Sequence, residues 1–374
     1  MNNYKAFSAT LTGISHSKHG KECQDYSYHH DNENMSIAVV ADGHGSKDHF
    51  RSAKGAEFAV SCAYDGIVEF IDTLNNWEIP QKEEGSGLLQ KIHQLSKHSS
   101  SEKTKTEQKI PTKEESNEML RALVNHIIME WHGKVEDDYT KNPFQSKELE
   151  NVEERYRKRY AEGEKLPHAY GTTLIAVAVT PDYWFGIHIG DGRFTALYKD
   201  GSFDQPVPWD ETCFLNVTTS ICDDDAAETA RIYYCAKTEK DLPLAVFLCS
   251  DGVDDNFAQD DDSSTNENAK DLFSKVYREI LLCFAEDGFE STCKQIEDLA
   301  HSFATKGKGD DTSIAGLIDM DAVKRTAEIY KKQIAKEQGA AVEVLAEEKT
   351  ETPDGIRAEL DYGAFVNKGN RANG

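Results

Sequence analysis

Short runs of apolar residues, each closed by a turn-forming residue, dominate the hydrophobic pattern along this chain. Such runs are typical of buried strands, which need only about four to eight residues to cross a sheet. Residues such as Gly and Asp mark the turns where they end. The pattern predicts strands at residues 4–12, 35–41, 173–179, 183–190, 193–199, 244–250 and 312–318.

Helical periodicity, with apolar residues three and four positions apart, is found in the stretches between the groups of strands. Two further stretches are rich in charge and are also predicted to be helical. The periodic helices are expected at residues 50–73, 117–135, 269–285 and 291–305, and the charged helices at 146–165 and 321–338.

The order of these elements favours one fold class. Strands come in sequential groups that suit hairpins, and helices come between the groups, unlike the strict strand–helix alternation of a doubly wound fold. We therefore predict an α+β fold with layered, largely antiparallel sheets. Within it, residues 187–198 are expected to form a hairpin across Gly190, Asp191 and Gly192, and residues 13–34 a loop.

Length and composition suit a globular protein with a sizeable core, since 38% of the 374 residues are hydrophobic. No apolar run of about 18 residues indicates a transmembrane helix, and the amino-terminal segment lacks the basic and apolar regions of a secretory signal. The eight cysteines include no CxxC pair, which disfavours a zinc site or a disulfide framework and favours a reducing compartment. We expect a cytoplasmic protein without a membrane partner.

The net charge of −25 excludes one class of function. Binding to nucleic acid needs a basic surface, whereas this chain would repel a polyanion.

The expected domain organisation follows from a polar, low-complexity stretch inside the chain and from the composition of the carboxy-terminal part. We predict a main domain over residues 1–319 with a polar, partly disordered insertion near 78–116, followed by a helical and flexible extension over 320–374.

Acidic residues stand at one end of several predicted strands, usually beside a glycine. If these strand ends meet at one edge of the sheets, the carboxylates form a cluster, which is costly unless cations neutralise it. Oxygen ligands favour Mg²⁺, Mn²⁺ or Ca²⁺ over Zn²⁺. Two such ions, about 3.5–4 Å apart, can activate water and clamp a phosphoryl group. The acids are Asp42, Asp191, Asp251 and the pair Asp310 and Asp311.

A resemblance to a known family rests on five short motifs in chain order: VVADGHGS (39–46), AYGTTLIAVAV (169–179), GIHIGDGRF (186–194), FLCSDGVDD (247–255) and KGDDTSIAGL (308–317). Together they resemble the metal-dependent protein phosphatases of type 2C (PPM-type), in a divergent bacterial-like branch. The resemblance implies a four-layer α-β-β-α sandwich of two largely antiparallel sheets. It also implies a dinuclear site for Mn²⁺ or Mg²⁺ at one sheet edge and, in some relatives, a third ion.

Positions within these motifs imply the metal ligands. Asp42 matches the bridging carboxylate and the carbonyl of Gly43 its partner, while Asp251 and Asp310 match the acids that complete the dinuclear site. Asp191 matches an acid that contributes to the weaker third site in some relatives, although a plain turn Asp is the alternative there.

The amino-terminal segment SHSKHGKECQDYSY departs from the usual family pattern. Asp25 matches a metal-site acid that acts through water, whereas Gln24 replaces the family Glu. No Arg lies within the first 42 residues, so the bidentate phosphate grip of the family is missing. The residues that could bind the phosphate instead are Lys18, Lys21 and His16.

His44 matches the family histidine that is a candidate general acid for the leaving oxygen, a task that suits the ordinary pKa of histidine. The alternative is that His44 only bonds groups around the ligands. Asp311 stands where the family usually has Asn and is expected to bond ligands or metal waters. Arg193 takes the place of a family arginine and is expected to be structural.

The resemblance implies hydrolysis of phosphoserine or phosphothreonine by direct attack of a metal-bridging hydroxide, with Asp42 and His44 as catalytic residues. The substrate would be a phosphorylated protein, with a partner Ser/Thr kinase as one candidate. Two alternatives stay open. The missing arginine and the Glu-to-Gln change favour a non-catalytic phosphatase-like binding module, and a metallophosphoesterase for a small phosphorylated molecule would use the same cluster.

Overall fold

The computed structural model describes residues 2–75, 113–207, 213, 218–254, 256 and 266–348. Contacts divide the chain into two units, Met1–Lys331 and Lys332–Gly374, and the fold below is that of the first unit. The insertion predicted near 78–116 lies outside the described residues, apart from residues 113–116, which begin a helix. In the described part of the chain, no helix is long and apolar enough to cross a membrane.

The described residues form ten strands: β1 (Tyr4–Leu11), β2 (Asp25–Asp31), β3 (Ser36–Asp42), β4 (Leu174–Val179), β5 (Tyr183–Ile189), β6 (Arg193–Leu197), β7 (Phe203–Asp204), β8 (Arg231–Ala236), β9 (Ala245–Cys249) and β10 (Thr312–Asp319). They make two five-stranded sheets. The first sheet has the order β1-β10-β9-β6-β7 and the second the order β2-β3-β4-β5-β8. Every pairing is antiparallel, which confirms the predicted class of sheet.

The described helices are α1 (Ile14–Lys18), α2 (Ser52–Asn75), α3 (Lys113–Lys141), α4 (Ser146–Leu149), α5 (Glu154–Ala161), α6 (Ala226–Thr229), α7 (Asp251–Asp254), α8 (Asn266–Asp287), α9 (Phe289–Lys306) and α10 (Met320–Glu348), with a 3-10 turn at Leu166–Tyr170. Each predicted helix has a counterpart among them. The charged stretch 146–165 forms two short helices, α4 and α5, rather than one.

The loop predicted over residues 13–34 is wrong in part, because it contains α1 and β2. β2, with the sequence DYSYHHD, pairs with β3 along its whole length and is an edge strand of the second sheet. An edge strand has one neighbour and tolerates exposed polar side chains, so no apolar run marks it. β8, with the sequence RIYYCA, forms the opposite edge of this sheet and was also missed, although it contains a short run of hydrophobic residues.

The hairpin predicted over residues 187–198 is also wrong. β5 pairs with β4 and β8 in the second sheet, whereas β6 pairs with β9 and β7 in the first. The turn Gly190–Gly192 therefore crosses from one sheet to the other. Both strands are buried along their whole length because each lies inside its sheet. Such a pattern predicts burial but does not identify the pairing partner.

Three clusters of buried side chains define four layers. The cluster between the sheets takes one side of each inner strand, with Val40, Val177 and Val246 as examples. A second cluster packs α2 and α3 on the outer face of the second sheet, and a third packs α8, α9 and the start of α10 on the outer face of the first. The order helix, sheet, sheet, helix confirms the expected four-layer α-β-β-α sandwich.

Arg51, immediately before α2, holds three helical segments together. Its side chain is only 10% exposed and binds Glu148 of α4 through Nε at 2.8 Å and Nη2 at 3.1 Å. Its Nη1 donates to Oδ2 of Asp138 in α3 at 3.2 Å and to the hydroxyl of Tyr170 at 2.7 Å. The guanidinium also lies over the ring of Phe144, 4.7 Å from its centroid. Every partner sits on a segment that flanks the second sheet.

We expect Arg51→Met to lower the free energy of unfolding by about 3 kcal/mol, because removing one member of a buried ion pair leaves its partners uncompensated. Urea denaturation measures the change. Lys54→Met is the matched control: Lys54 binds the same Asp138 at 2.5 Å but is 45% exposed, so its loss should cost less than about 1 kcal/mol. Equal losses in the two variants would contradict the anchoring role of Arg51.

Candidate functional site

The strand register brings the predicted acids to one edge of the sandwich. In the second sheet, Asp25 begins β2 and Asp42 ends β3, and the two residues face each other directly across the antiparallel pair. In the first sheet, β9 ends at Cys249 opposite Ile314 of β10, so the residues that follow β9 and precede β10 share an edge. These are Ser250 and Asp251 on one side, and Asp310 and Asp311 on the other.

The crossover between the sheets brings a further acid to this edge. Arg193, the first residue of β6, also faces Cys249, so the preceding turn with Asp191 lies at the same end of the first sheet. The charge of Asp191 is among the causes that raise the pKa of Asp42. The sequence correctly placed Asp191 after the carboxyl end of β5. It did not indicate that the turn containing Asp191 joins the two sheets.

The carboxyl groups at this edge raise one another's pKa, because each negative charge makes it harder to ionise the next group. Burial raises the pKa of Asp42 well above its ordinary range, and the charges of Asp25 and Asp251 with a hydrogen-bond contact to Asp251 raise it further. Burial likewise raises the pKa of Asp25, and the charges of Asp311 and Asp251 add to the shift. A charge on any one of these carboxyls therefore makes it more costly to ionise its neighbours.

The backbone around Asp42 is fixed by the motif Gly-Thr-Thr. The Asp42 amide donates to the Thr173 hydroxyl at 3.0 Å, while the amide of Thr173 and the hydroxyl of Thr172 both donate to the Asp42 carbonyl at 2.8 Å. The next amide, that of Gly43, donates to the carbonyl of Gln24 at 3.1 Å. The two threonines thus position the carboxylate that ends β3, a role that the sequence pattern did not reveal.

The adjacent acids Asp310 and Asp311 have different surroundings. Asp311 is buried, and its carboxylate accepts from the amide of Gly13 at 2.7 Å, the amide of Gln24 at 2.6 Å and Nδ1 of His16 at 2.8 Å. Asp310 is exposed, and its Oδ1 accepts from the amide of Asp311 at 2.8 Å. Asp311 therefore ties the amino-terminal segment to β10, and Asp310 is the acid of the pair that faces solvent.

The donor chemistry of this edge fits hard divalent cations. Its acidic side chains offer carboxylate oxygens, the kind of ligand that Mg²⁺ and Mn²⁺ prefer. Oδ2 of Asp25 is buried and has no hydrogen-bond partner within the part of the chain that the structure describes, and an unpaired buried polar oxygen is costly. Over the described residues, however, no three His, Cys, Asp or Glu side chains stand as a closed ligand set. The residues fit the ions by type and charge, without a preformed shell.

His44 lies beside this cluster among other rings. Its amide donates to the carbonyl of Gly171 at 3.0 Å, and its ring packs edge-on against His49 with centroids 4.8 Å apart. Its pKa falls to about 4, because burial disfavours the charged ring and His168 adds a like charge. The sequence identified His44 but gave no sign of the two neighbouring histidines.

The candidate phosphate-binding residues differ in their availability. Lys18, at the end of α1, and Lys21 are exposed. His16 is turned inward, with Nδ1 engaged by the Asp311 carboxylate. Arg193 is 8% exposed and buried in the first sheet, in agreement with the structural role expected for it.

Comparison with known proteins yields one family and several solved structures. The family model described as protein phosphatase 2C matches residues 12–292. No curated protein matches the chain. The serine/threonine phosphatase Stp1 from Staphylococcus aureus is 13% identical, with 84% of this chain and 94% of that chain covered and a TM-score of 0.45. The catalytic domain of the phosphatase PstP in complex with two manganese ions is 14% identical, with 84% and 97% covered and a TM-score of 0.41.

A third similar structure is PppA, described as a key regulatory component of the T6SS in Pseudomonas aeruginosa. It is 16% identical, with 84% of this chain and 97% of that chain covered and a TM-score of 0.42.

We expect Gly43→Ala to lower the free energy of unfolding by about 1–3 kcal/mol, because the new methyl group overpacks a rigid site. Its Cβ would lie 2.6 Å from the carbonyl oxygen of Gln24 and 2.9 Å from the backbone of Ser52, so β2 or α2 has to shift. Gly45→Ala is the control, since its Cβ would meet only the Gln24 side chain at 3.6 Å. Urea denaturation that finds the two variants equally stable would contradict this packing.

Proposed function

The chain belongs to the protein phosphatase 2C family, and from that premise we propose that it is a metal-dependent phosphatase acting on phosphoserine and phosphothreonine in proteins. The observation that carries the proposal is the convergence of Asp25, Asp42, Asp191 and Asp251 on one edge of the sandwich. A cluster of buried acids that raise each other's pKa is unfavourable by itself, and divalent cations would neutralise it.

Two ions of Mn²⁺ or Mg²⁺ are proposed for this edge, held by Asp42, the carbonyl of Gly43, Asp251 and Asp310. Asp25 supports them through water, and Asp191 is proposed for a third ion. Bound there, the ions would supply Lewis-acid activation of a water molecule and neutralise charge on the phosphoryl group. Asp42 is proposed as catalytic because its carboxylate, at the end of β3, would bind the ions where the two sheets meet.

The remaining steps are assigned to this chain's own side chains. His44 gives a proton from its ring to the serine or threonine oxygen as that group leaves. Burial keeps His44 uncharged in the free protein, whereas a bound phosphate dianion favours its protonated form. Lys18 and Lys21, with His16 behind them, hold the phosphate as point charges in place of the missing arginine.

The substrate class proposed is a phosphorylated protein in the cytoplasm, with a partner Ser/Thr kinase as one candidate. Residues 1–319 are proposed as the catalytic domain and 320–374 as an extension that is separate from catalysis. The negative net charge agrees with a partner other than nucleic acid.

We expect turnover of para-nitrophenyl phosphate and of a phosphothreonine peptide that needs Mn²⁺ or Mg²⁺ and stops with a chelator. Asp42→Asn and Asp251→Asn should each reduce kcat by at least about a hundredfold, since each removes a proposed ligand. Asp65→Asn, which makes the same change on the exposed side of α2, should leave kcat unchanged.

Two other outcomes separate the alternatives. Mn²⁺ binding without turnover of either substrate would favour a non-catalytic binding module. Turnover of para-nitrophenyl phosphate without any turnover of phosphopeptides would favour an esterase for a small phosphorylated molecule.

The double variant Lys18→Ala/Lys21→Ala should raise KM for the phosphopeptide about tenfold with a smaller change in kcat, because two charged contacts to the phosphate are lost. Lys199→Ala is the matched control: it removes an exposed lysine after the far end of β6, away from the acidic edge. An unchanged KM in the double variant would move the phosphate grip to other residues.

A further inference from the structure

Three histidine rings lie in a continuous stack next to the acidic edge, and we call His44, His49 and His168 the histidine stack. The ring of His49 contacts that of His44 edge-on at 4.8 Å and lies nearly parallel to that of His168 at 4.3 Å. On its far side, His168 stacks on Tyr156 of α5 at 4.2 Å. The stack thus connects the motif after β3 with α5.

Hydrogen bonds fix the rings of His49 and His168. The Tyr160 hydroxyl lies 3.0 Å from the carbonyl oxygen of Asp48 and 2.5 Å from Nδ1 of His168. A hydroxyl has one proton, so when it donates to Asp48, Nδ1 of His168 must carry hydrogen and donate to Tyr160. The Ser46 hydroxyl lies 2.8 Å from Nδ1 of His49. Both rings are therefore held by groups outside the acidic cluster.

The space around the stack leaves little freedom for His44. A Cβ on Gly171 would lie 2.6 Å from Cδ2 of His49, 2.7 Å from Cδ2 of His44 and 3.1 Å from the Cys222 sulfur. The backbone carbonyl of Gly171 also accepts the His44 amide. Only a residue without a side chain fits here, so the two rings touch the backbone that leads into β4.

We propose that His49 and His168 are positioning residues: they hold the ring of His44 in the orientation in which it gives its proton to the leaving oxygen. The inference rests on the proposed function and deepens it, because it assigns a task to two residues that bind neither metal nor phosphate. Tyr160 is proposed as a third positioning residue, because its hydroxyl bonds the ring of His168.

Two other roles for the stack are less compatible with its geometry. The rings touch edge-on or stack in a row instead of converging on a point, and over the described residues no three His, Cys, Asp or Glu side chains form a metal-binding set. Burial and the neighbouring rings lower the pKa of His49 to about 3, which favours its uncharged ring. The role that fits the geometry is ring-to-ring contact, which restricts the orientation of the His44 ring.

The test compares two substrates that differ in their need for an acid. Para-nitrophenolate leaves without a proton, whereas the alkoxide of phosphothreonine needs one. We expect His49→Ala to lower kcat for the phosphothreonine peptide by about tenfold or more and kcat for para-nitrophenyl phosphate by less than about threefold. His49→Phe, which keeps a ring in the stack, should restore peptide turnover to within about threefold of wild type. Tyr160→Phe, which removes only the hydroxyl, should split the two substrates in the same direction.

Equal losses on both substrates in His49→Ala, or no restoration by His49→Phe, would overturn the positioning role. Mn²⁺ affinity measured by calorimetry should stay unchanged in all three variants, and a lost affinity would likewise overturn it. The ring-proton resonances of His44 provide a readout without turnover: they should move in His49→Ala in the free protein, and unmoved resonances count against the inference. A wild-type protein inactive on both substrates refutes the proposed function alone.

Discussion

Carboxylates gathered at one edge of the two sheets repel one another, and the hydrogen bonds around them act against that repulsion. Charges in such a place cost free energy both by burial and by repulsion, and the raised pKa values of Asp25 and Asp42 express that cost. The fold compensates where it can. Hydrogen bonds from Ser250 and Ser313 favour the charged form of Asp25, and two backbone amides and a histidine bond Asp311. Oδ2 of Asp25 is left without a hydrogen-bond partner among the described residues, so this oxygen carries part of the cost of the cluster.

Much of this arrangement could be predicted from the sequence because strand ends are local features. An apolar run that stops at Asp42 or precedes Asp251 reveals its own end, and a continuous apolar run shows which strands are buried. Pairing partners are not local. β5 and β6 are separated by three residues yet belong to different sheets, and nothing in two fully buried strands distinguishes a hairpin from a crossover. β2 escaped prediction because an edge strand can be polar and aromatic.

The site could be predicted only as far as its motifs reach. The acids and His44 belong to short recognisable patterns, whereas His49 and His168 meet through tertiary packing across more than a hundred residues. The division between Asp310 and Asp311 was equally hidden, since two neighbouring acids look alike until the backbone turns one inward. Residue type determines which chemistry a side chain can perform, and tertiary packing determines which side chains meet in one site.

Residues 160–173, just before β4, link the histidine stack with the carboxylate of Asp42. At one end, Tyr160 fixes His168 and through it the histidine stack. At the other, Tyr170 binds both Arg51 and Asp138, and Thr172 and Thr173 deliver the hydrogen bonds that hold Asp42. The same short stretch therefore sets the carboxylate that ends β3 and the ring two residues after it. Because both depend on one segment, a change that shifts this segment should disturb acid and histidine together, whereas a change in one hydroxyl should disturb only the ring.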